Sequence, residues 1–226
     1  MCVSAEASFA VGALLLPASG YCIRASLRQK PTALALAAIP LFFGVQQFCE
    51  GLTWLGLGQS NPDLTRIGSL AFLFFALAFW PFWMPLATWL VETQPGRKKV
   101  LVVIVILSLS WGVFLFFPLA TDPQRWLTVE QVHHSIQYSF PDLPVYRVVP
   151  SPWLRFLYLL TISVPFVLCS DRRFLIFGCL LAASALLAHL VFTYAFVSVW
   201  CFFSALLALY LCWVFRKPGL ASAATA

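Results

Sequence analysis

Charge is the scarcest property of this chain. Asp, Glu, Lys and Arg make up 10% of its 226 residues, against about 25% in an ordinary soluble domain. Hydrophobic residues make up 62%, so too little polar surface is left to clothe the outside of a water-soluble fold. Metal and redox motifs are scarce as well. The seven cysteines, at 2, 22, 49, 169, 179, 201 and 212, form no CxxC pair, which argues against a disulfide framework or a zinc ribbon. They read as small apolar residues. No HExxH or HxxxH spacing occurs among the three histidines. Glycine-rich phosphate loops, dinucleotide fingerprints and Ser-His-Asp motifs are missing, as is the paired broken-helix pattern of secondary transporters. There is no internal repeat and no low-complexity linker. The one charge ahead of the first apolar run is Glu6, which does not suit a cleavable signal peptide.

What is present is a series of apolar runs with a mean hydropathy of +0.90. A spanning helix needs about 20 mostly apolar residues. Bounded by charges and turn residues, the runs predict seven spans: Ala5–Ile23, Thr32–Leu57, Ile67–Val91, Val100–Ala120, Pro152–Cys169, Phe174–Phe192 and Phe196–Phe215. The fold class expected is an all-α polytopic membrane bundle of about seven transmembrane helices. It forms a single domain over residues 1–218, with a disordered cytoplasmic tail at 219–226. The net charge of +6 comes from basic residues between the apolar runs, so it points to topology and not to nucleic acid. Arg24, Arg28, Lys30, Arg97, Lys98, Lys99, Arg172, Arg173, Arg216 and Lys217 fall on one side of a seven-span chain, and Arg66, Arg125, Arg147 and Arg155 on the other. The positive-inside rule then puts the N-terminus outside and the C-terminus in the cytoplasm. The expected location is a bacterial inner or plasma membrane. Prolines in Trp80-Pro81-Phe82-Trp83-Met84-Pro85 predict a kink, tolerated where neighbours satisfy the freed carbonyls.

The sizeable loop is 121–151, on the outer side. Asp122-Pro123 predicts a short helix to about Val132. Alternation through His134, Ile136, Tyr138 and Phe140 predicts a strand, Pro141–Pro144 a turn, and Val145–Val149 a return strand. A small extracytoplasmic β-hairpin over the outer mouth of the bundle is expected.

Polar groups at membrane depth are costly and by default mark function. Glu50 is the clearest. Gln46, Gln47, Glu50 and Trp54 stand three and four residues apart and share one helix face. His189 lies near the outer end of the sixth span, His133 and His134 in the outer loop, Ser198 and Cys201 at the outer start of the seventh span, and Cys2 and Ser4 at the outer start of the first. Topology gathers these groups into one leaflet. Glu50, His189 and one of His133 or His134 could supply a hydrolytic zinc site with an open water position, where a neighbouring carboxylate could act as general base; Glu50 and Cys2 are the candidate catalytic residues. Equally, Glu50 and His189 could simply hold helices together by hydrogen bonds. Removal of Met1 would expose Cys2 with both a thiol and an α-amine, an N-terminal nucleophile, or else an ordinary small interfacial residue.

The opening Met1-Cys2-Val3-Ser4-Ala5-Glu6-Ala7-Ser8-Phe9, with Gln46-Gln47-x-x-Glu50-Gly51-x-x-Trp54 and Ser198-Val199-Trp200-Cys201-Phe202-Phe203, resembles an uncharacterised family of small multi-spanning membrane proteins. Its members begin Met-Cys-Phe-Ser-Ala-x-Ala-Ser-Phe. The likeness covers most of the chain and implies a fold and no activity. Val3 and Glu6 depart from the pattern, which favours Cys2, Ser4, Gln46, Gln47, Glu50 and Cys201 over Glu6 as site residues. A looser, fold-level analogy links the span count to the seven-helix zinc hydrolases related to alkaline ceramidases, whose helical histidine pair this chain lacks.

Three functions fit these residues. One is a membrane-embedded, metal-assisted hydrolase acting on a lipid or small amphiphilic ligand in a polar outer-leaflet pocket. Another is a proton-coupled carrier with Glu50 as relay. The third is a ligand-sensing or assembly protein of the bilayer.

Overall fold

A computed structural model of the chain describes residues 4–147 and 149–216. Six helices are long and apolar enough to cross a membrane: α1 (Ala5–Gln29), α2 (Pro31–Gly58), α3 (Pro62–Val91), α4 (Pro95–Thr121), α6 (Arg172–Val191) and α7 (Thr193–Arg216). Between α4 and α6 lie a short hairpin, β1 (Thr128–Val132) and β2 (Ser135–Ser139), and the helix α5 (Ser151–Leu168). The apolar part of α5, Trp153–Leu168, is shorter than the other six. Even so, it follows the hairpin at one end of the bundle and delivers Leu168 to Arg97 at the other. The protein is a helical membrane bundle carrying one small hairpin. Its outside is apolar, as a bilayer requires: α4 alone exposes Val103, Ile106, Leu107, Val113, Phe114 and Phe117.

Helices α1, α2, α3, α5, α6 and α7 pack in sequence, and α7 returns to α1 to close the ring. Helix α4 lies outside it against α3 and α5. Lipid is as apolar as leucine, so close packing and interhelical hydrogen bonds hold such a ring together. Small residues set the approach of the first three helices. A Cβ on Gly68 of α3 would stand 2.7 Å from the Thr53 amide nitrogen of α2, and one on Gly12 of α1 would stand 3.1 Å from the Gly44 carbonyl oxygen. Both contacts are with backbone, which cannot swing aside. At the other side of the ring, Cys22 of α1 and Cys212 of α7 place their sulfurs 3.5 Å apart. In a variant keeping only these two cysteines, a copper-phenanthroline oxidant should join α1 to α7 through a disulfide. After cleavage at a protease site inserted between His133 and His134, the two fragments should still run together on a non-reducing gel. Separate fragments would break the ring closure.

The α3 helix carries a π-helical stretch, Phe74–Phe79, just before Trp80-Pro81. The proline cluster therefore shows itself as a changed hydrogen-bond register. The Trp80 amide reaches back five residues to the Phe75 carbonyl. The next acceptor in that register, Ala76, would need a donor from Pro81, which has none.

The hairpin exists but lies one strand earlier than the sequence predicts. The segment expected to stay helical to Val132 is helical over Pro123–Trp126 alone, then becomes β1. Its partner is β2, with Val132 opposite Ser135 and Thr128 opposite Ser139. The expected return strand Val145–Val149 is instead a 3₁₀ turn over Pro144–Arg147. The β-branched Thr128, Val129 and Val132 suit a strand, and pairing with them buries Ile136 and Tyr138. His133 sits at φ 55 in the two-residue turn, a left-handed conformation that histidine adopts more readily than most residues. The tail at 219–226 lies outside the described residues.

Candidate functional site

Glu50 is 1% exposed, near the hairpin end of α2. It projects to the inside of the ring because Gln46, Gln47, Glu50, Thr53 and Trp54 all fall on the stripe of α2 that faces α3 and α7. Its Oε1 accepts a hydrogen bond from the Ser198 hydroxyl of α7 at 2.5 Å, and its Oε2 accepts from Gln47 Nε2 at 3.3 Å. Among the described residues no Lys, Arg or His pairs with it. The carboxyl is thus held entirely by neutral donors. Beside it, Gln46 Oε1 accepts from the Trp80 indole N–H at 2.7 Å. That donor fixes the orientation of the amide and leaves Gln46 Nε2, like Gln47 Oε1, without a partner among the described residues. Buried polar atoms are normally paired, so two unpaired amide atoms next to one carboxyl mark a polar chamber with unmet capacity.

The hairpin closes this chamber. Tyr138 of β2 drops into the bundle and stacks on Phe72 of α3, with ring centroids 5.0 Å apart. Its buried hydroxyl lies by Glu50, Thr53, Cys49 and Cys201. Burial, and then the neighbouring Glu50 carboxyl, push this phenol well above its ordinary value. It therefore stays a neutral hydroxyl with a proton to donate.

On the other side of Tyr138 is a half-open cavity of about 590 Å³, within the usual range for small-molecule sites. It is bounded by β2, the start of α5, the π-helical stretch of α3 and the start of α7, and it is lined by Leu77, Leu115, Tyr146, Arg155, Tyr158 and Trp200 among others. Tyr138 and Cys201 line it too. Cys201 is one helical turn from Ser198, so the Glu50 chamber lies directly behind the cavity wall. Tyr158 supplies the donor that Pro81 cannot: its hydroxyl bonds the orphaned Ala76 carbonyl of the π stretch. Tyr158→Phe should cost roughly 1–3 kcal/mol, because it leaves a buried carbonyl bare. Thermal unfolding in neutral detergent reads this out, and an unchanged melting temperature would refute the role.

The structure thus brings together Gln46, Gln47, Glu50, Ser198 and Cys201 of the residues expected from sequence, with Trp54 buried on the same helix face. It does not bring in the histidines. His189 is exposed on α6 beside Phe196, and His133 and His134 are exposed in the hairpin turn. No three His, Cys, Asp or Glu residues cluster as a metal site among the described residues. Ser4 caps α1, its hydroxyl accepting from the Ala7 amide. Cys2 lies outside the described residues. Sequence reasoning missed Tyr138, Tyr158, Trp80 and Arg155. The alternation through Ile136 and Tyr138 carried the one available signal for the first, and nothing local signals the others.

Fold and site together define a polytopic helical membrane protein with a hairpin-capped internal cavity. The chain belongs to DUF6629, a family of unknown function, whose profile matches residues 1–225. No curated protein and no solved structure matches it.

Proposed function

We propose that this protein binds a small amphiphile in the hairpin-capped cavity, with the Glu50 chamber as a polar recess behind it. The supporting observation is the half-open cavity of about 590 Å³ whose wall mixes leucines and aromatic rings with polar side chains such as Gln137, Ser139 and Thr193. Apolar walls with a few converging polar groups are the usual make-up of a ligand site. In this reading the hairpin end faces outward, the orientation that the positive-inside rule favours for the basic residues between the apolar runs. In that orientation all seven helices span, α5 included, and the ligand comes from the outer leaflet or beyond. The experiment is native mass spectrometry of the full chain released from neutral detergent after titration with dodecanol or dodecyl phosphate. A saturable one-to-one adduct is expected, and Val197→Trp, which fills the cavity, should abolish it. If no amphiphile of either kind forms an adduct, or if Val197→Trp leaves it unchanged, the proposal fails.

The contact between the Ser198 hydroxyl and the Glu50 carboxyl favours a second function, hydrolysis, since a carboxylate holding a hydroxyl is a base–nucleophile pair. A zinc-assisted form of it predicts stoichiometric metal in the purified protein by elemental analysis, and its absence would end that form.

A further inference from the structure

We infer that the cavity selects an amphiphile with an anionic headgroup, a carboxylate or a phosphate, and that Arg155 receives that headgroup; this rests on the cavity being a ligand site. Arg155 is the sole charged side chain among the described residues that line the cavity. It is half-buried, and its guanidinium stands 5.7 Å from the Phe196 ring centroid. Tyr146 is close enough to feel its charge. Among the described residues no carboxylate pairs with it. The other basic residues described near this end differ. Arg66 is paired with Asp63, Arg125 covers Trp126, Arg147 is exposed, and none of the three lines the cavity.

A guanidinium held over an aromatic face at the rim of an apolar cavity keeps its donors free for an incoming planar or tetrahedral anion, which it binds with paired hydrogen bonds. The walls beyond it are apolar: Leu77, Leu115, Leu154, Val197 and Trp200. A ligand with one anionic end and one apolar end satisfies both halves at once. A soluble anion would leave the apolar walls uncovered, and a neutral amphiphile would leave the cation unpaired. Tyr158 and Tyr138 also line the cavity and are neutral, so they add no competing charge.

The test uses the full chain in neutral detergent with four probes by native mass spectrometry: dodecyl phosphate, dodecanoate, dodecanol and inorganic phosphate. Dodecyl phosphate and dodecanoate should bind roughly tenfold or more tighter than dodecanol, the scale expected of a charge-assisted bidentate contact. Salt should narrow that gap, because the anionic contact is screened. Arg155→Gln should erase the preference by weakening the two anionic probes towards dodecanol, and Arg155→Lys should keep part of it. Should the glutamine variant fail to fold, the wild-type ranking and its salt dependence still decide. If anionic and neutral amphiphiles bind equally, the headgroup assignment is overturned while the cavity stands as a ligand site. If inorganic phosphate binds as tightly as dodecyl phosphate, the ligand is a soluble anion and the amphiphile is overturned. If nothing binds, the underlying cavity proposal falls instead.

Discussion

Glu50→Ala should lower the stability of the detergent-solubilised protein by on the order of 3–5 kcal/mol, whereas Glu50→Gln should cost less than about 1 kcal/mol. The alanine variant removes the acceptor of both the Ser198 hydroxyl and the Gln47 amide, and each partner is fully buried. A buried donor stranded in this way costs about 1–3 kcal/mol, and the space left by the side chain adds a cavity term. A glutamine has nearly the same shape. Its carbonyl can still accept from Ser198, and its amide can meet the Gln47 Oε1 that is now unpaired. The measurement is equilibrium unfolding of both variants beside wild type. If both variants are equally damaged, the carboxyl itself and not its shape holds α2 to α7. If neither is, the Glu50–Ser198 contact is not part of what closes the ring. Ligand retention measured on the stable glutamine variant then separates structure from function, because a loss of binding there would come from the missing carboxyl alone.

The second large effect lies at the other end of the bundle. Glu92, 3% exposed, follows α3 and ties the α3–α4 loop to the α5–α6 loop. Its Oε1 accepts from the Thr93 and Gln94 amides at 2.8 Å each and from the Ser170 hydroxyl at 2.7 Å, and its Oε2 accepts from the Ser170 amide at 2.8 Å. Burial by itself would raise this carboxyl, but the donors from Gln94, Ser170 and Thr93 outweigh it and hold it below its ordinary value. Glu92→Ala strands those donors and should cost on the order of 3 kcal/mol, with Glu92→Gln intermediate because a neutral acceptor replaces a charged one. The sign with pH follows from the lowered value. The unfolded chain takes up its proton first as pH falls, so the Glu92 contribution is fully present above the ordinary value of 4.5 and is lost as pH drops through the lower folded value. Melting temperatures of wild type and Glu92→Gln should therefore converge in that acid range. Asp171, also held low, by Arg173 against its own burial, is common to both proteins and cancels in the comparison. A gap that stays constant through acid would refute the assignment.

How much of the site could be read from the chain depends on how local each relation is. Gln46, Gln47, Glu50 and Trp54 were legible as one face because three- and four-residue spacing on a helix is a local fact. Their burial followed from the cost of a carboxyl in hydrocarbon. Ser198 is 148 residues from Glu50. Topology could place it at the same end of the bundle, though not in contact. His189 shows the limit of that reasoning. It lies at the hairpin end of α6, yet Ala188 beside it is fully buried while His189 is exposed. One position on a helix is a turn of about 100°, and which face of α6 meets the ring is fixed by packing against α5 and α7. The hairpin slipped for a related reason. Both Thr128–Val132 and Val145–Val149 are β-branched runs of strand length, and the pairing that buries Ile136 and Tyr138 against the bundle chose between them.

The sequence by itself determined that this is a helical membrane protein, the order and apolar centres of its long helices, that a hairpin interrupts them, and that one stripe of α2 carries an ionisable group. These follow from hydropathy and periodicity, which act along the chain. Three helix ends moved, α1 running on to Gln29 and α3 and α4 starting back at Pro62 and Pro95. Tertiary structure alone decided that Ser198 holds Glu50, that Tyr138 separates this chamber from a cavity, that Tyr158 answers the carbonyl freed by Pro81, and that Arg155 stands in the cavity wall. Those depend on the rotation of each helix about its axis and on contacts between distant segments. Packing sets both, and no local pattern encodes them.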